Sequence, residues 1–324
     1  MDENKIWDTI ILGAGPAGMT AAIYTRRGLL ETLIIEKMMP GGNVAITNKI
    51  ENYPGFTEIS GGELSRKMEE QAKHLGVEFI SGDVVSIAQD EEIKYVTLED
   101  GTYYKTKSII IATGAGWRKL GVPGEKKYTG RGVSYCGTCD GPFFQDKVIA
   151  VVGGGDTALD ESLYLERFAK KIYIIHRRDQ FRGAKIYQDR VFKNPKIEVI
   201  WDTVISEVQG ETFVNNLRLK NTKTGEEKAL NVDGLFIFIG QEPNTQFLKS
   251  FCSLDDYGYI NTDVNMKTKF DGIFAAGDVR KKELYQISTA VGDGAVAGYM
   301  AIKYLEELKC KQEEKNECNA NKLK

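Results

Sequence analysis

The 324-residue sequence predicts an α/β chain of two doubly wound, three-layer domains, the second inserted into the first. Three observations predict it. A strand, a glycine-rich turn, a helix and a second strand occur twice in that order. Each copy is followed by its own buried closing strand. A third such strand lies beyond the second copy, where only the first domain has room for it.

The chain begins "MDENKIWDTI", acidic and polar where a signal peptide would be basic and then apolar. Hydrophobic residues make up 42% and charged residues 27%, which is globular composition with apolar surface for a core. The net charge of −3 gives no reason to expect nucleic acid or an anionic membrane as the main partner. No apolar run approaches the roughly 18 residues needed to span a bilayer. The expectation is a cytosolic protein. In that compartment a stable structural disulfide is disfavoured.

The first copy is "DTIILGAGPAGMTAAIYTRRGLLETLIIEK". A strand over Asp8–Leu12 leads into Gly13, Gly15 and Gly18, and a helix runs from Pro16. A second strand covers Leu33–Glu36. The first glycine makes the tight turn, the second lets backbone approach a pyrophosphate, and the third position must be small for helix–strand packing. Phosphates then meet unpaired N–H groups and the positive end of the helix dipole. The pattern is Rossmann-like. "KSIIIATGAG", with Thr113 and Gly114 in its turn, is the closing strand.

The second copy is "DKVIAVVGGGDTALDESLYLERFAKKIYIIHRR". Its strand is Val148–Val152, its turn carries Gly153, Gly155 and Ala158, and its second strand is Ile172–His176. "VDGLFIFIGQEPNT" closes it. The copies differ at the residue ending the second strand. In the first it is Glu36, which accepts ribose hydroxyls and repels a 2′-phosphate. In the second it is His176, followed by Arg177, Arg178 and Arg182, which attract one. One nucleotide held permanently and one that comes and goes describe a flavoenzyme. FAD in the first domain and NADPH in the second is the economical assignment.

"DGIFAAGDV", with Gly277 and Asp278, is the third closing strand. The chain therefore leaves the first domain near Ala115 and returns near Pro243. Both crossings, "GWRKLGVPGE" and "GQEPNTQF", carry Gly and Pro. Paired linkers of this kind would let the inserted domain rotate as a body. Beyond the third strand, Gln286, Ile287 and Ser288 precede an alanine- and glycine-rich helix starting near Thr289. Its N-terminus would favour an anionic reduced flavin, and its small residues would let it lie close to the ring. The tail "KCKQEEKNECNANKLK" is polar and predicts disorder.

Cys136 and Cys139 stand two residues apart in "VSYCGTCDGPFF", inside the inserted domain. Zinc, a structural disulfide and a redox dithiol all use this spacing. Zinc needs about four ligands, and Cys252, Cys310 and Cys318 are scattered, so no metal site is expected. A redox dithiol fits the compartment, since a CxxC thiol at a helix start titrates near neutrality. Asp140 is the candidate acid–base group, with a capping role as the alternative.

The motifs "GAGPAG", "GGNVAITNKIENYPGF", "ATGA", "CGTCDG", "GGGDTALDE", "HRRDQFR", "GQEPNT", "AAGDV" and "YQISTAVGDGAVA" together resemble the low-molecular-weight thioredoxin reductases, over roughly Asp8 to Tyr304. The resemblance implies a cytoplasmic homodimer with FAD, NADPH as donor and thioredoxin as acceptor. It implies an FAD domain of 1–116 and 246–324 and an NADPH domain of 117–245. The FAD set it implies is Gly13, Gly15, Pro16, Ala17, Gly18, Glu36, Gly42, Asn43, Thr47, Asn52, Val84, Thr113, Gly114, Gly277, Asp278, Gln286, Ile287 and Ser288. The NADPH set is Gly153, Gly155, Asp156, Thr157, His176, Arg177, Arg178 and Arg182. By the same resemblance Cys139 abuts the flavin and Cys136 attacks thioredoxin. The chain departs from the pattern at Asn43, where Gln is usual, at Gly137, often Ala, and at Tyr285, commonly Arg. A related flavin reductase serving a peroxiredoxin or another dithiol carrier, fed by NADPH or ferredoxin, is the alternative enzyme. A nucleotide-holding redox sensor without turnover is the non-enzymatic one.

Overall fold

A computed structural model describes residues 5–47, 50–248, 251 and 253–322, with side chains to residue 314. Cys252 and the side chain of Cys318 lie outside the described residues. The chain forms two compact units: Met1–Gly116 with Glu242–Lys324, and Trp117–Gln241.

The first unit contains β1 (Ile6–Leu12), α1 (Pro16–Arg27), β2 (Thr32–Glu36), α2 (Gly61–His74), β3 (Glu78–Ser81), β4 (Val84–Asp90), β5 (Ile93–Leu98) and β6 (Tyr103–Ile111). The sheet order is β3-β2-β1-β6-β5-β4. β1 runs parallel to β2 and β6, whereas β5 is antiparallel to both β4 and β6. Ile10, Ile11, Leu33, Ile34, Ile109 and Ile110 are wholly buried, because both faces of the central strands are covered. The chain crosses on β7 (Ala115–Trp117).

The second unit follows in order: α3 (Glu125–Tyr128), β8 (Val133–Ser134), α4 (Gly137–Asp140), β9 (Val148–Gly153), α5 (Asp156–Leu165), β10 (Lys171–Ile175) and α6 (Lys185–Lys193). β11 (Ile197–Ile200), β12 (Thr203–Gly210), β13 (Val214–Asn221), β14 (Glu227–Asn231) and β15 (Gly234–Phe238) complete it. Its five-stranded sheet has the order β11-β10-β9-β15-β8. One face packs with α5 and α6 through Leu159, Leu165 and Val191. The other is covered by the antiparallel sheet β12-β13-β14, through Ile205, Val208, Leu217 and Leu219. The alternation of buried and exposed residues along β13 is that of a strand with one wet face.

The return crossing is β16 (Gln241–Pro243), which pairs with β7 as a two-stranded sheet. Beyond it, β17 (Ile273–Ala275) pairs in parallel with the last residues of β6. α7 (Ile287–Lys322) follows and packs on α1. A Cβ on Gly294 would overlap the Ala17 carbonyl, and one on Gly298 would crowd Ala21 and Tyr24. The small residues of α7 therefore serve helix–helix approach.

The tail corrects the sequence expectation of disorder: α7 continues to Lys322. Its Lys, Glu and Gln residues are good helix formers, and Lys309 and Glu313 meet one turn apart at 4.0 Å. Polarity predicted solvent exposure correctly as far as residue 314, but the loss of the helix it suggested does not occur. Among the described residues no helix is long and apolar enough to cross a membrane.

Candidate functional site

In the first unit, Gly15 caps α1 with no side-chain hydrogen bond, and Pro16 opens the helix. The N–H groups of Ala17 and Gly18 in that first turn are thus left to a ligand. A Cβ on Gly15 would meet nothing within 4 Å, whereas one on Gly18 would overlap the Gly13 carbonyl. Gly13 has φ 102°, and its turn leaves no space for a side chain beside Ala112. So the first and third small residues are fixed by packing, and the second faces open space where a phosphate would fit.

The loop after β2 folds back onto this turn. Gly41 N–H donates to Ala14 O at 2.8 Å, and a Cβ on Gly42 would lie 3.7 Å from Gly15 Cα. Asn43 Nδ2 donates to Ala115 O at 2.8 Å, and Thr47 Oγ1 donates to Asn43 O at 3.2 Å. Glu36 accepts from Ala14 N–H at 2.7 Å and Met38 N–H at 2.9 Å, one on each carboxylate oxygen. It braces the glycine turn itself, with remaining lone pairs available for a ribose.

Residues far apart in the chain meet around the start of α7. Asn52 Nδ2 donates to Gln286 Oε1 at 3.1 Å across 234 positions. Ile287 is the first residue of α7, and Ser288 is exposed beside it. Thr113 and Asn244 exchange hydrogen bonds of 2.8 Å, and Gly114 turns with φ 67°. Val84 opens β4, half-buried against the core of this unit. Gly277 N–H donates to Asp293 at 3.1 Å. Burial pushes the Asp278 carboxyl up, against the opposing pull of Lys282 at 3.0 Å. Lys282 and Arg280 both reach Asp293, at 3.3 and 3.1 Å. Sequence reasoning singled out Asp278 but missed Arg280, Lys282 and Asp293. The three are brought together by the turn before α7, and no spacing rule announces that turn. Tyr285 packs against Tyr259, ring centroids 5.8 Å apart.

In the second unit, Gly155 repeats the uncapped, open position of Gly15. Gly153 turns with φ 153° against Ala158, and Asp156 and Thr157 begin α5. Asp156 accepts from Ala184 N–H at 2.6 Å, and Arg182 N–H donates to Gly154 O at 2.8 Å. The segment after β10 thereby wraps onto the glycine turn. His176 Nδ1 donates to Gly153 O at 2.9 Å, while its buried Nε2 has no partner. Burial holds the His176 imidazolium below its usual range, and Arg178 and Arg182 work in the same direction. Arg177, Arg178 and Arg182 are exposed and have no ion-pair partner among the described residues. Three exposed, unneutralised guanidinium groups suit a phosphate.

The same unit carries the sulfurs. Cys136 and Cys139 are joined as a disulfide, Cα atoms 5.3 Å apart. Cys136 is the N-cap of α4, its Sγ accepting from Cys139 N–H at 3.2 Å. Ser134 Oγ, which accepts from Cys136 N–H at 3.1 Å, fixes the entry to the turn. Asp140 closes α4 and makes no capping hydrogen bond to the following turn. Burial raises its carboxyl, with a Ser134 hydrogen bond acting the other way. Among the described residues no cluster of three or more His, Cys, Asp or Glu could hold a metal.

The pyridine nucleotide-disulphide oxidoreductase family model matches residues 7–294. The chain is 51% identical to a thioredoxin reductase of Listeria monocytogenes over 308 residues, 95% of this chain and 96% of that one. It is 50% identical over 309 residues to the thioredoxin reductase of Bacillus subtilis, covering 95% and 98%. This chain belongs to the thioredoxin reductase family. The solved thioredoxin reductase of Streptococcus pyogenes superposes with a TM-score of 0.89 at 51% identity, over 94% of this chain and 99% of that one. Membership means a flavoenzyme of the pyridine nucleotide-disulphide oxidoreductases, and implies a flavin and a nicotinamide nucleotide as cofactors. The two uncapped glycine turns, one in each unit, fit those two groups.

Proposed function

We propose that this chain is an NADPH-dependent, FAD-containing thioredoxin reductase, with Cys136 and Cys139 as the redox pair and thioredoxin as the protein substrate. The observation that carries the reading is the co-location, in one unit, of that disulfide with a glycine turn flanked by unpaired arginines. The first unit would hold FAD. Gly13, Gly15, Pro16, Ala17 and Gly18 leave the phosphate position open, Glu36 takes the ribose, and Gly42, Asn43, Thr47, Asn52, Val84, Thr113, Gly114, Gly277, Asp278, Gln286, Ile287 and Ser288 complete the site. The second unit would hold NADPH. Gly153, Gly155, Asp156 and Thr157 receive the pyrophosphate, and His176, Arg177, Arg178 and Arg182 receive the 2′-phosphate. By the same reading the protein works in the cytoplasm as a homodimer.

When bound in the first unit, FAD would supply the electron pair, drawn from NADPH held by the second unit, that opens the Cys136–Cys139 disulfide. Cys139 takes that pair, and Cys136 is released as the attacking thiol. Its thiolate forms a mixed disulfide with thioredoxin, which Cys139 then resolves, regenerating the Cys136–Cys139 bond. Asp140, held protonated over a wider pH range by burial, gives a proton to the departing sulfur and recovers it. The arginines select the phosphorylated donor because a guanidinium fork matches phosphate geometry. The test is an insulin-coupled assay with a thioredoxin, comparing NADPH with NADH. Turnover with NADPH and little with NADH is expected. A purified protein that neither retains flavin nor passes electrons to thioredoxin would overturn the reading.

A further inference from the structure

Residue 137, between the two cysteines, is glycine, and a side chain from another helix occupies the space its Cβ would fill. A Cβ on Gly137 would overlap Oε2 of Glu161, with the Glu161 carboxyl carbon 3.1 Å away. Glu161 lies in the second turn of α5, which packs on α4. Its Oε2 is closed off from solvent and has no hydrogen-bond partner. The groups around it are unevenly placed. Asp140, Cys136 and Cys139 belong to the α4 turn. Glu161 itself lines a cleft of about 370 Å³ with Asp160 and Tyr164 of α5, Arg167 just beyond it, Arg190 of α6 and Thr138. Neither arginine forms an ion pair with Glu161 among the described residues.

We propose that Glu161 is a positioning residue of the redox pair: admitted against the Cys136–Cys139 turn because residue 137 is glycine, its carboxyl holds one exchangeable proton there and thereby sets how readily the reduced pair forms a thiolate. The inference rests on reading the pair as redox-active. Burial, with the Asp160 charge adding to it, moves the Glu161 carboxyl up to about 7, into the range where a CxxC thiol ionises. Opening the disulfide takes up two electrons and, for two thiols, two protons. Exchange then needs one of those thiols as thiolate. Below neutrality Glu161 is neutral and does not oppose that thiolate. Above neutrality it is a partly buried carboxylate packed against the same turn, so the two ionisations compete. The reduced turn then releases its protons in two overlapping steps instead of one.

The test uses the full holoenzyme, reduced chemically and freed of reductant, with the alkylation rate of Cys136 by iodoacetamide followed from pH 6 to pH 8.5. E161Q removes the charge and keeps the shape. Its rate relative to wild type is expected near one at pH 6 and up to about twofold higher near pH 8, because a thiol titrating near neutrality and raised by up to about one pKa unit falls from about nine-tenths to about half thiolate there. Its profile should collapse to a simpler titration. G137A places a methyl where the carboxylate sits and should shift the profile the same way, while D160N, which removes the exposed charge that helps raise Glu161, should keep the two-step form with the carboxylate step moved to lower pH. An E161Q profile that overlays the wild type would overturn the proposal. A G137A profile unchanged while E161Q shifts would overturn the role assigned to glycine. If wild type fails to reduce its pair with NADPH, the functional reading fails, and the alkylation profiles still decide on Glu161.

Discussion

Replacing Arg177 and Arg178 together by alanine tests the donor assignment most directly. Both side chains are exposed and neither holds an ion pair in the folded chain, so their removal breaks nothing structural. Thermal stability should stay within about 0.5 kcal/mol of wild type. In the complex each guanidinium would make charge-assisted hydrogen bonds worth about 1.5–3 kcal/mol. Exposure to water places each near the low end, so one arginine is worth about tenfold in KM for NADPH and the pair about a hundredfold. His176 and Arg182 remain and should keep the loss from being total. NADH has no 2′-phosphate, so its KM should change little. The assay is steady-state thioredoxin reduction with each donor, alongside stopped-flow bleaching of the flavin. Equal losses for NADPH and NADH would refute the 2′-phosphate role, as would an unchanged KM for NADPH.

Three further outcomes follow from the geometry. C136S should leave NADPH-driven bleaching of the flavin intact and abolish thioredoxin reduction; a block at bleaching would invert the order of the sulfurs. E36A strands the buried Ala14 amide, while the exposed Met38 amide passes to water; this should cost about 1–3 kcal/mol in thermal unfolding and lower the flavin retained on purification, read from visible absorbance. Lys94 is wholly buried, donating to Lys107 O at 2.9 Å and to the Tyr304 hydroxyl at 3.0 Å, and burial lowers it to about 8. Its folded value lies below its unfolded one, so between about pH 8 and pH 10.5 the unfolded chain binds more protons and folded stability rises with pH. The stability difference between wild type and K94M should therefore shift in favour of wild type by about 1–2 kcal/mol over that interval, after allowance for screening. Denaturant titrations at the two ends measure it, and a flat difference would contradict the buried charge.

The sequence was informative wherever one local rule suffices. The glycine turns before α1 and α5 are visible because a strand-to-helix turn with a close third position tolerates only small residues. β17 could be assigned to the first unit because the second already had its closing strand. The antiparallel sheet β12-β13-β14 went unforeseen: its alternation is legible, but nothing local says which sheet it covers. The tail was misjudged because polarity reports exposure, and an exposed helix is as polar as a disordered segment. The Asn52–Gln286 hydrogen bond and the Asp278–Lys282–Asp293 cluster carry no sequence signal, since each depends on where loops end rather than on spacing.

By itself, then, the order of residues determined the α/β class, the insertion of one unit in another and the family, because strand, turn and helix signals act over a few residues and repeat in recognisable order. Only the tertiary structure decided which group packs against the turn between the sulfurs. Gly137 and Glu161 are 24 positions apart, and their contact depends on the rotation of α5 about its axis and its packing on α4. That rotation is fixed by Leu159 and Leu165 packing into the core of the second unit, an outcome of shape matching across the whole layer.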